Sequence, residues 1–302
     1  FMVIPGLINA HQHLTGDRLI QSCIPSEIED TEAIFDWSVP IHALHSPDDD
    51  EISATLSLAE SARCGITFTV EAGTVASPEM VLNGFEKVGV GGAIGSWGWD
   101  VGNGPYVDSV DGVIERQLQV LEMTKNHSSV KGWVTLVGHN LMSDELLQRA
   151  SNLAKENSTN LTFHLSPHAG EVSQYIEKTG MRPVTYISEL GVLGSHLLIG
   201  HAVHIDDSEL EVLINSKTAI ASSPWAYLKL GQGITKFGKH PEFVSKGGRL
   251  ALGCDTENAG DTKDLLLTAR LFSGLMQEAK LGLDKTTAHY ALELITIGAA
   301  AV

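Results

Sequence analysis

Short apolar runs of five to eight residues alternate with longer amphipathic stretches along the whole chain, and this alternation predicts the elements. The β-rich runs are Val3–Ala10, Ile66–Ala72, Gly91–Gly98, Gly132–Val137, Asn160–Leu165, Leu197–Ala202, Thr218–Ser222 and Arg249–Gly253. Helical periodicity marks Asp49–Arg63, Pro78–Lys87, Val110–Lys125, Asp144–Glu156, Glu171–Thr179, Pro183–Leu190, Asp207–Ile214 and Pro241–Ser245, then Asp261–Ala279 and Lys285–Ile297 after the last strand. Ser143 and Asp206 stand where helix N-caps are expected. Eight strand-then-helix units close most simply into a (β/α)8 TIM-like barrel, an α/β fold. An open doubly wound sheet is the alternative, but it would carry a glycine-rich phosphate loop after an early strand. The glycine-rich stretch Gly89–Gly95 lies within or before a strand and reads as close packing instead. No low-complexity linker or charge run marks a boundary, so residues 1–302 read as one domain. The chain opens on a strand and stops in the apolar stretch Ile295–Val302, so both ends read as cut from a longer polypeptide.

In such a barrel, catalytic groups sit at the C-terminal ends of the strands. The first strand ends in His11 and His13, which are two apart and so share one side of an extended segment. The fifth ends in His164, the sixth in His201 and the eighth in Asp255. Any one of these suits a satisfied polar residue in the core. Five of them at one end of four strands point to a metal site. Imidazole and carboxylate ligands suit zinc first, with iron or manganese left open. Such an ion lowers the pKa of bound water to about 7, and Asp255 beside it is the candidate to take that proton and return it to a leaving group.

Charge and composition narrow the partners. The formal net charge is −17, with 20 Lys+Arg against 37 Asp+Glu, which argues against nucleic acid and against an anionic membrane surface. Hydrophobic residues make up 43% of the chain, enough for a sizeable core, and no apolar run is long enough to span a membrane. Cys23, Cys64 and Cys254 form no paired motif, which suggests free thiols in a reducing, cytoplasmic compartment. A small-molecule substrate is the partner expected. A homo-oligomer is left open, since no interface signature is visible.

The segment Pro5-Gly6-Leu7-Ile8-Asn9-Ala10-His11-Gln12-His13-Leu14 resembles the first-strand signature of the amidohydrolase superfamily. Phe163-His164-Leu165, Gly200-His201-Ala202-Val203-His204-Ile205 and Leu252-Gly253-Cys254-Asp255 resemble its fifth, sixth and eighth strand motifs, in order. Ser223 to Ile234 is similar to the seventh-strand loop of the branch that holds triazine hydrolases and adenosine-like, guanine and cytosine deaminases. The resemblance covers essentially the whole chain. It implies a barrel flanked by a small β-sandwich, which is absent from this chain as given. It also implies one metal held by His11, His13, His164 and Asp255, with His201 orienting the attacking water or acting as a fifth ligand. The modified lysine that bridges two metals in some relatives has no counterpart, because the fourth strand ends near Gly138-His139 and Lys131 sits at its start.

Two departures matter. The branch places a proton-shuttling glutamate three residues after the fifth-strand histidine, where this chain has Pro167. His168, the next residue, is a candidate replacement or a loop histidine, while Glu171 reads as part of the next helix's first turn. In the seventh-strand loop, Ala226-Tyr227 replaces the usual Ser-Asn pair. Trp97, Trp99, Trp225 and Tyr227 are candidates for an aromatic substrate wall, Glu71 for a polar contact, and Arg182 and Lys229 for gripping a carboxylate. Packing is the alternative for each. His42, His45, His127, His139, His196, His204, His240 and His289 read as structural. The whole implies a metal-dependent hydrolase attacking a C–N bond of an amide, amidine or amino-substituted heterocycle, with chloride as another leaving group. A dihydroorotase- or hydantoinase-like cyclic amidase and a catalytically inactive binding barrel are the alternatives.

Overall fold

The computed structural model describes residues 3–15, 17–20, 23–25, 27–256, 260, 263–279 and 287–302. All its sheet pairings are parallel. The strands are β1 (Leu7–Gln12), β2 (Ile66–Glu71), β3 (Gly91–Ile94), β4 in two segments (Val130–Gly132 and Val134–Gly138), β5 (Leu161–Leu165), β6 (Leu197–His201), β7 (Ala219–Ser222) and β8 (Leu250–Leu252). One sheet runs from β1 to the first segment of β4 and the other from its second segment to β8. Trp133 interrupts β4, yet its N–H still donates to Ile94 O at 2.8 Å. The seam between β1 and β8 closes through a Gln12–Asp255 bridge and through His11 O, which accepts Cys254 N at 3.1 Å and Asp255 N at 2.9 Å. Lower down, Ile8 N donates to Ile295 O and Leu252 N to Leu294 O, so the C-terminal turn fills the gap.

Strand alternation explains where the core lies. Leu7, Ile66, Leu161, Phe163, Ile199, Ile220 and Leu250 belong to one cluster with the apolar faces of the surrounding helices. Each such side chain contributes about 1.5–3 kcal/mol on burial. Inside the barrel the residues are smaller: Ala10, Val70, Ala93, Ala219, Ala221 and Ala251 pack together with Leu198. The outer helices include α1 (Pro47–Arg63), α2 (Pro78–Val88), α3 (Val110–Thr124), α4 (Asp144–Glu156), α5 (Ala169–Thr179), α6 (Pro183–Glu189) and α7 (Asp207–Ser216). Ser143 caps α4 by accepting Leu146 N, and Asp206 forms a capping box with Glu209 at α7.

Beyond shifted ends at β1, which begins at Leu7, and at a broken β4, the structure differs from the sequence expectations in four places. β3 stops at Ile94 rather than Gly98, because the chain there presses against β4: a Cβ on Gly95 would lie 2.1 Å from Thr135 Oγ1, and one on Gly98 2.4 Å from Thr135 O. Residues 30–42, for which no element is expected, form a helical turn (Asp30–Glu32), a wide π-helical segment (Ala33–Ser38) and a further turn (Val39–His42). The seventh-strand loop contains a helix, Pro224–Lys229. After β8, helices are observed over Leu265–Ala279 and Ala288–Glu293, while expected helical residues 261–262 and 285–286 lie outside the described residues.

Candidate metal centre and pocket

The C-terminal ends of β1, β5, β6 and β8 bring His11, His13, His164, His201 and Asp255 together, all nearly buried. The ligand atoms of His11, His164 and His201 lie within 4.8 Å of one another, as do those of His11, His13 and Asp255. Asp255 Oδ1 is 3.6 Å from His11 Nε2 and 3.5 Å from His13 Nε2, and its Oδ2 is 3.8 Å from His201 Nδ1. These separations exceed a normal hydrogen bond. His11 Nε2 and His201 Nδ1 are buried with no hydrogen-bond partner.

The tautomers sharpen the point. His164 Nδ1 lies 2.6 Å from Val137 O, a carbonyl that only accepts, so Nδ1 carries the proton and Nε2 a lone pair. The Thr74 hydroxyl donates to Glu71 Oε1 at 2.7 Å, so at 3.0 Å from His13 Nδ1 it accepts, and His13 Nε2 also presents a lone pair. The two Nε2 atoms then face each other at 3.3 Å. Two lone pairs at that distance repel unless a cation lies between them. Carbonyl and hydroxyl partners on the far ring nitrogens are what metal-binding imidazoles normally have.

Protonation agrees. Burial would raise the Asp255 carboxyl, but the close ring nitrogens of His11 and His13, and then the His201 ring, outweigh it and hold it well below the usual carboxylate range. Burial, then the neighbouring imidazoles, pushes His164 well below the ordinary histidine value. Burial does the same to His201, against the opposing charge of Asp255. An anionic carboxylate beside imidazoles that burial keeps deprotonated at His164 and His201 is the kind of donor set a divalent cation requires, and the site fits one.

The local backbone is unusual here. Of the eight described non-glycine residues with positive φ, six (His139, Asn140, Ser166, His201, Ala202 and Asp255) lie just at or beyond strand ends at the mouth, while Ser158 and Lys217 follow helix ends. Such conformations gather where function fixes side-chain direction. Glycines make room for His11: a Cβ on Gly200 would lie 2.8 Å from its Cε1, and one on Gly253 2.7 Å from its Cβ. His240 donates from Nε2 to His201 O at 2.7 Å and meets Ser222 Oγ through Nδ1, which fixes the peptide that carries His201.

A pocket opens above the centre. Its walls include His13, Thr74, His164, His201 and Asp255 on the strand side and Ala33, Ile34, Ser38, Val39 and His42 from the helical segment, with Trp97, Val137, His139, Pro167, His168, Leu230 and Gln232 completing it. His168 caps α5 by accepting Glu171 N at its Nδ1 (3.2 Å), so the neutral ring carries its proton on Nε2. Sequence reasoning missed His139. Its ring stacks on His164 at 5.0 Å, and its Nδ1 faces Glu171 Oε2 at 3.3 Å. The signal was its place just past β4, beside the other strand-end histidines. Glu171 does stand in the first turn of α5, but its buried carboxylate turns inward, accepting Ser166 N as well.

Several expected substrate contacts lie elsewhere. Glu71 is buried, and its carboxylate is taken by Gly73 N, Thr74 N and the Thr74 hydroxyl, so it acts behind His13 rather than in the pocket. Arg182 is held by Glu209, Asp206 and His204 O. Of the four aromatic candidates, Trp97 is on the wall. Trp99 packs behind it at 6.3 Å and donates to Val101 O. Tyr227 is fully buried against His201 at 5.6 Å, with its hydroxyl accepting Ser223 N. Trp225 and Lys229 lie on the short helix Pro224–Lys229, off the pocket wall, and Lys229 is exposed.

Comparison with known proteins places this geometry in context. The sequence model described as "Amidohydrolase family" matches residues 2–302. A 5-methylthioadenosine/S-adenosylhomocysteine deaminase of Nitratidesulfovibrio vulgaris is 28% identical over 309 residues, covering 99% of this chain and 66% of that protein. The chain thus spans about two thirds of the length of such curated relatives. A zinc-bound adenosine deaminase structure from Xanthomonas campestris superposes with a TM-score of 0.87 at 20% identity, covering 98% of this chain and 66% of that one. A zinc complex of atrazine chlorohydrolase from Arthrobacter aurescens gives 0.87 at 19% identity, covering 99% and 70%. These structures share the barrel fold. No described helix is long and apolar enough to cross a membrane.

Proposed function

The chain belongs to the amidohydrolase family, and on that premise we propose that residues 1–302 form the barrel domain of a metal-dependent deaminase acting on a small, flat, amino-substituted heterocycle. The observation that carries this reading is the convergence of four imidazoles and one carboxylate, with lone pairs left facing one another at His13 and His164. His11, His13, His164 and Asp255 would hold the cation, with His201 beside it. Zinc is the assignment, from the donor set and from the zinc named in both structures above. When bound, such an ion supplies a Lewis acid and makes a water molecule acidic at neutral pH.

The chain's own residues handle the protons. Asp255, held anionic, accepts the proton from the attacking water and returns it to the departing amine. His201 has an unpartnered Nδ1 aimed at the same space and orients that water. The missing strand-end glutamate leaves a ring-nitrogen donor to be found. His168 would hydrogen-bond that ring nitrogen through its Nε2–H without giving up the proton, since its Nδ1 already accepts a backbone N–H. Trp97 offers a flat wall and an indole N–H with no protein partner. Val39, Ile34, Val137 and Leu230 exclude water from the remaining sides. The deaminases among the relatives support ammonia as the leaving group.

The test uses the full-length, zinc-loaded protein on 5-methylthioadenosine, adenosine and amino-triazines, with ammonia release as the readout. Release from at least one substrate is expected, and His168→Asn should lower kcat about 100-fold with zinc content unchanged. Ring opening without ammonia would overturn the deaminase reading, and an unchanged kcat in His168→Asn would overturn the role of His168.

A further inference from the structure

We propose that His42, His45 and Asp50 form a second divalent-cation site at the rim of the pocket, separate from the strand-end centre. Asp50 Oδ1 receives two imidazole nitrogens, His42 Nε2 at 3.1 Å and His45 Nδ1 at 3.3 Å. The three donor atoms lie within 4.8 Å of one another. Both contacts are within hydrogen-bond reach, so one carboxylate oxygen takes both imidazole nitrogens. Around a tetrahedral ion with bonds of roughly 2.0–2.1 Å, neighbouring donors stand about 3.3–3.4 Å apart, close to the separations here. The strand-end centre shows the same arrangement of two imidazole nitrogens around one carboxylate oxygen.

Asp50 is not explained by its helix. α1 is capped by Ser46 and Asp49, which form a complete capping box, and Asp48 adds a further carboxylate to the first turn. Asp50 instead turns inward and is 1% exposed, and among the described residues its ion pairs are with the two imidazoles. A carboxylate so placed needs a positive partner. His42 closes the Val39–His42 turn and His45 N donates to His42 O, so both imidazoles come from one short segment just before α1. His42 also lines the pocket, which gives an ion its way in. Three protein donors leave a fourth position for water or for an anionic group.

Metal content per chain decides the matter. Full-length protein is stripped, reloaded with cobalt(II), freed of excess ion and analysed for metal, with the visible absorption of cobalt followed in parallel. Two equivalents are expected for the wild type, and one each for His45→Ala and His11→Ala. The surviving ions should have different spectra, since their donor sets differ. Asp50→Asn keeps the shape and removes the anionic donor, so it serves where His45→Ala does not fold, and its affinity for the second ion should fall at least 10-fold. One equivalent in the wild type that His45→Ala retains, or two equivalents that His45→Ala and Asp50→Asn both retain, overturns the second site. Loss of metal in His11→Ala reports on the strand-end centre alone, so the two failures are distinguishable.

Discussion

The pocket has two sides built in different ways. One is strand-borne: His11, His13, His164, His201 and Asp255 leave the barrel at fixed register, backed by hydrogen-bonded partners and by glycines that seat His11. The other is carried by residues 33–42, a π-helical segment and a short turn inserted between β1 and α1, which offer Ala33, Ile34, Val39 and His42. The strand side is polar and closely constrained. The helical side is mostly apolar and held by packing against Trp97, Trp99 and Val137. On the proposed function, the difference teaches that chemistry and selectivity would be set separately: the barrel would fix what reaction can occur, and the insertion what can approach it.

Substitutions can break that division. The largest effect is expected from Gly200→Ala, whose new methyl would collide with the His11 ring. Metal affinity should fall about 10- to 100-fold, as for loss of a supporting partner, and activity with it. Isothermal titration of the stripped protein measures this, and unchanged affinity would show that the ring has room to retreat. Trp97→Ala should leave the strand-end metal intact while raising KM about 10-fold, because it removes wall area against which the helical side packs without touching a strand-end ligand. A parallel loss of metal would mean the two sides are coupled.

The smallest effect at neutral pH concerns His240, behind the strand side. Burial holds its pKa down to about 4, against backbone contacts with His201 and Ala202 that raise it. In the unfolded chain it titrates near 6.5, so between these values the unfolded state binds the extra proton. Stability therefore falls as pH drops from about 6.5 to about 4, by up to about 3 kcal/mol, and this contribution is flat outside that window. Thermal melts of the metal-free His240→Gln variant should show a shallower decline over the same range. An identical slope would assign the acid sensitivity to other groups.

Much of the strand side was legible in the sequence, because a period of two commits a side chain's direction once a strand is recognised. His11 and His13 could be paired from spacing alone, and His164, His201 and Asp255 each ended an apolar run. His139 was not legible in the same way. It stands one residue past β4, where a left-handed backbone turns it inward, and no periodicity announces that turn. The helical side was opaque for a related reason. A π-helical segment follows neither the strand nor the α-helical period, so Ile34, Ser38 and Val39 matched no template. Glu71 and Arg182 were misplaced because sequence shows a charge but not the partner that consumes it. Here those partners are a tight turn and a helix-capping carboxylate.

The seam between the first and last strands has a mechanical consequence. Backbone contact between β1 and β8 is confined to the neighbourhood of His11, Gln12, Cys254 and Asp255, and the C-terminal turn wedges in below it. The proposed ligands straddle this seam, with His11 and His13 on one lip and Asp255 on the other. An ion held there is a clasp on nearly the whole length of the chain. It ties residue 11 to residue 255 and offsets the entropy of closing the longest loop in the barrel. On the proposed function, chelation should therefore do more than stop turnover: it would unfasten the barrel at its rim.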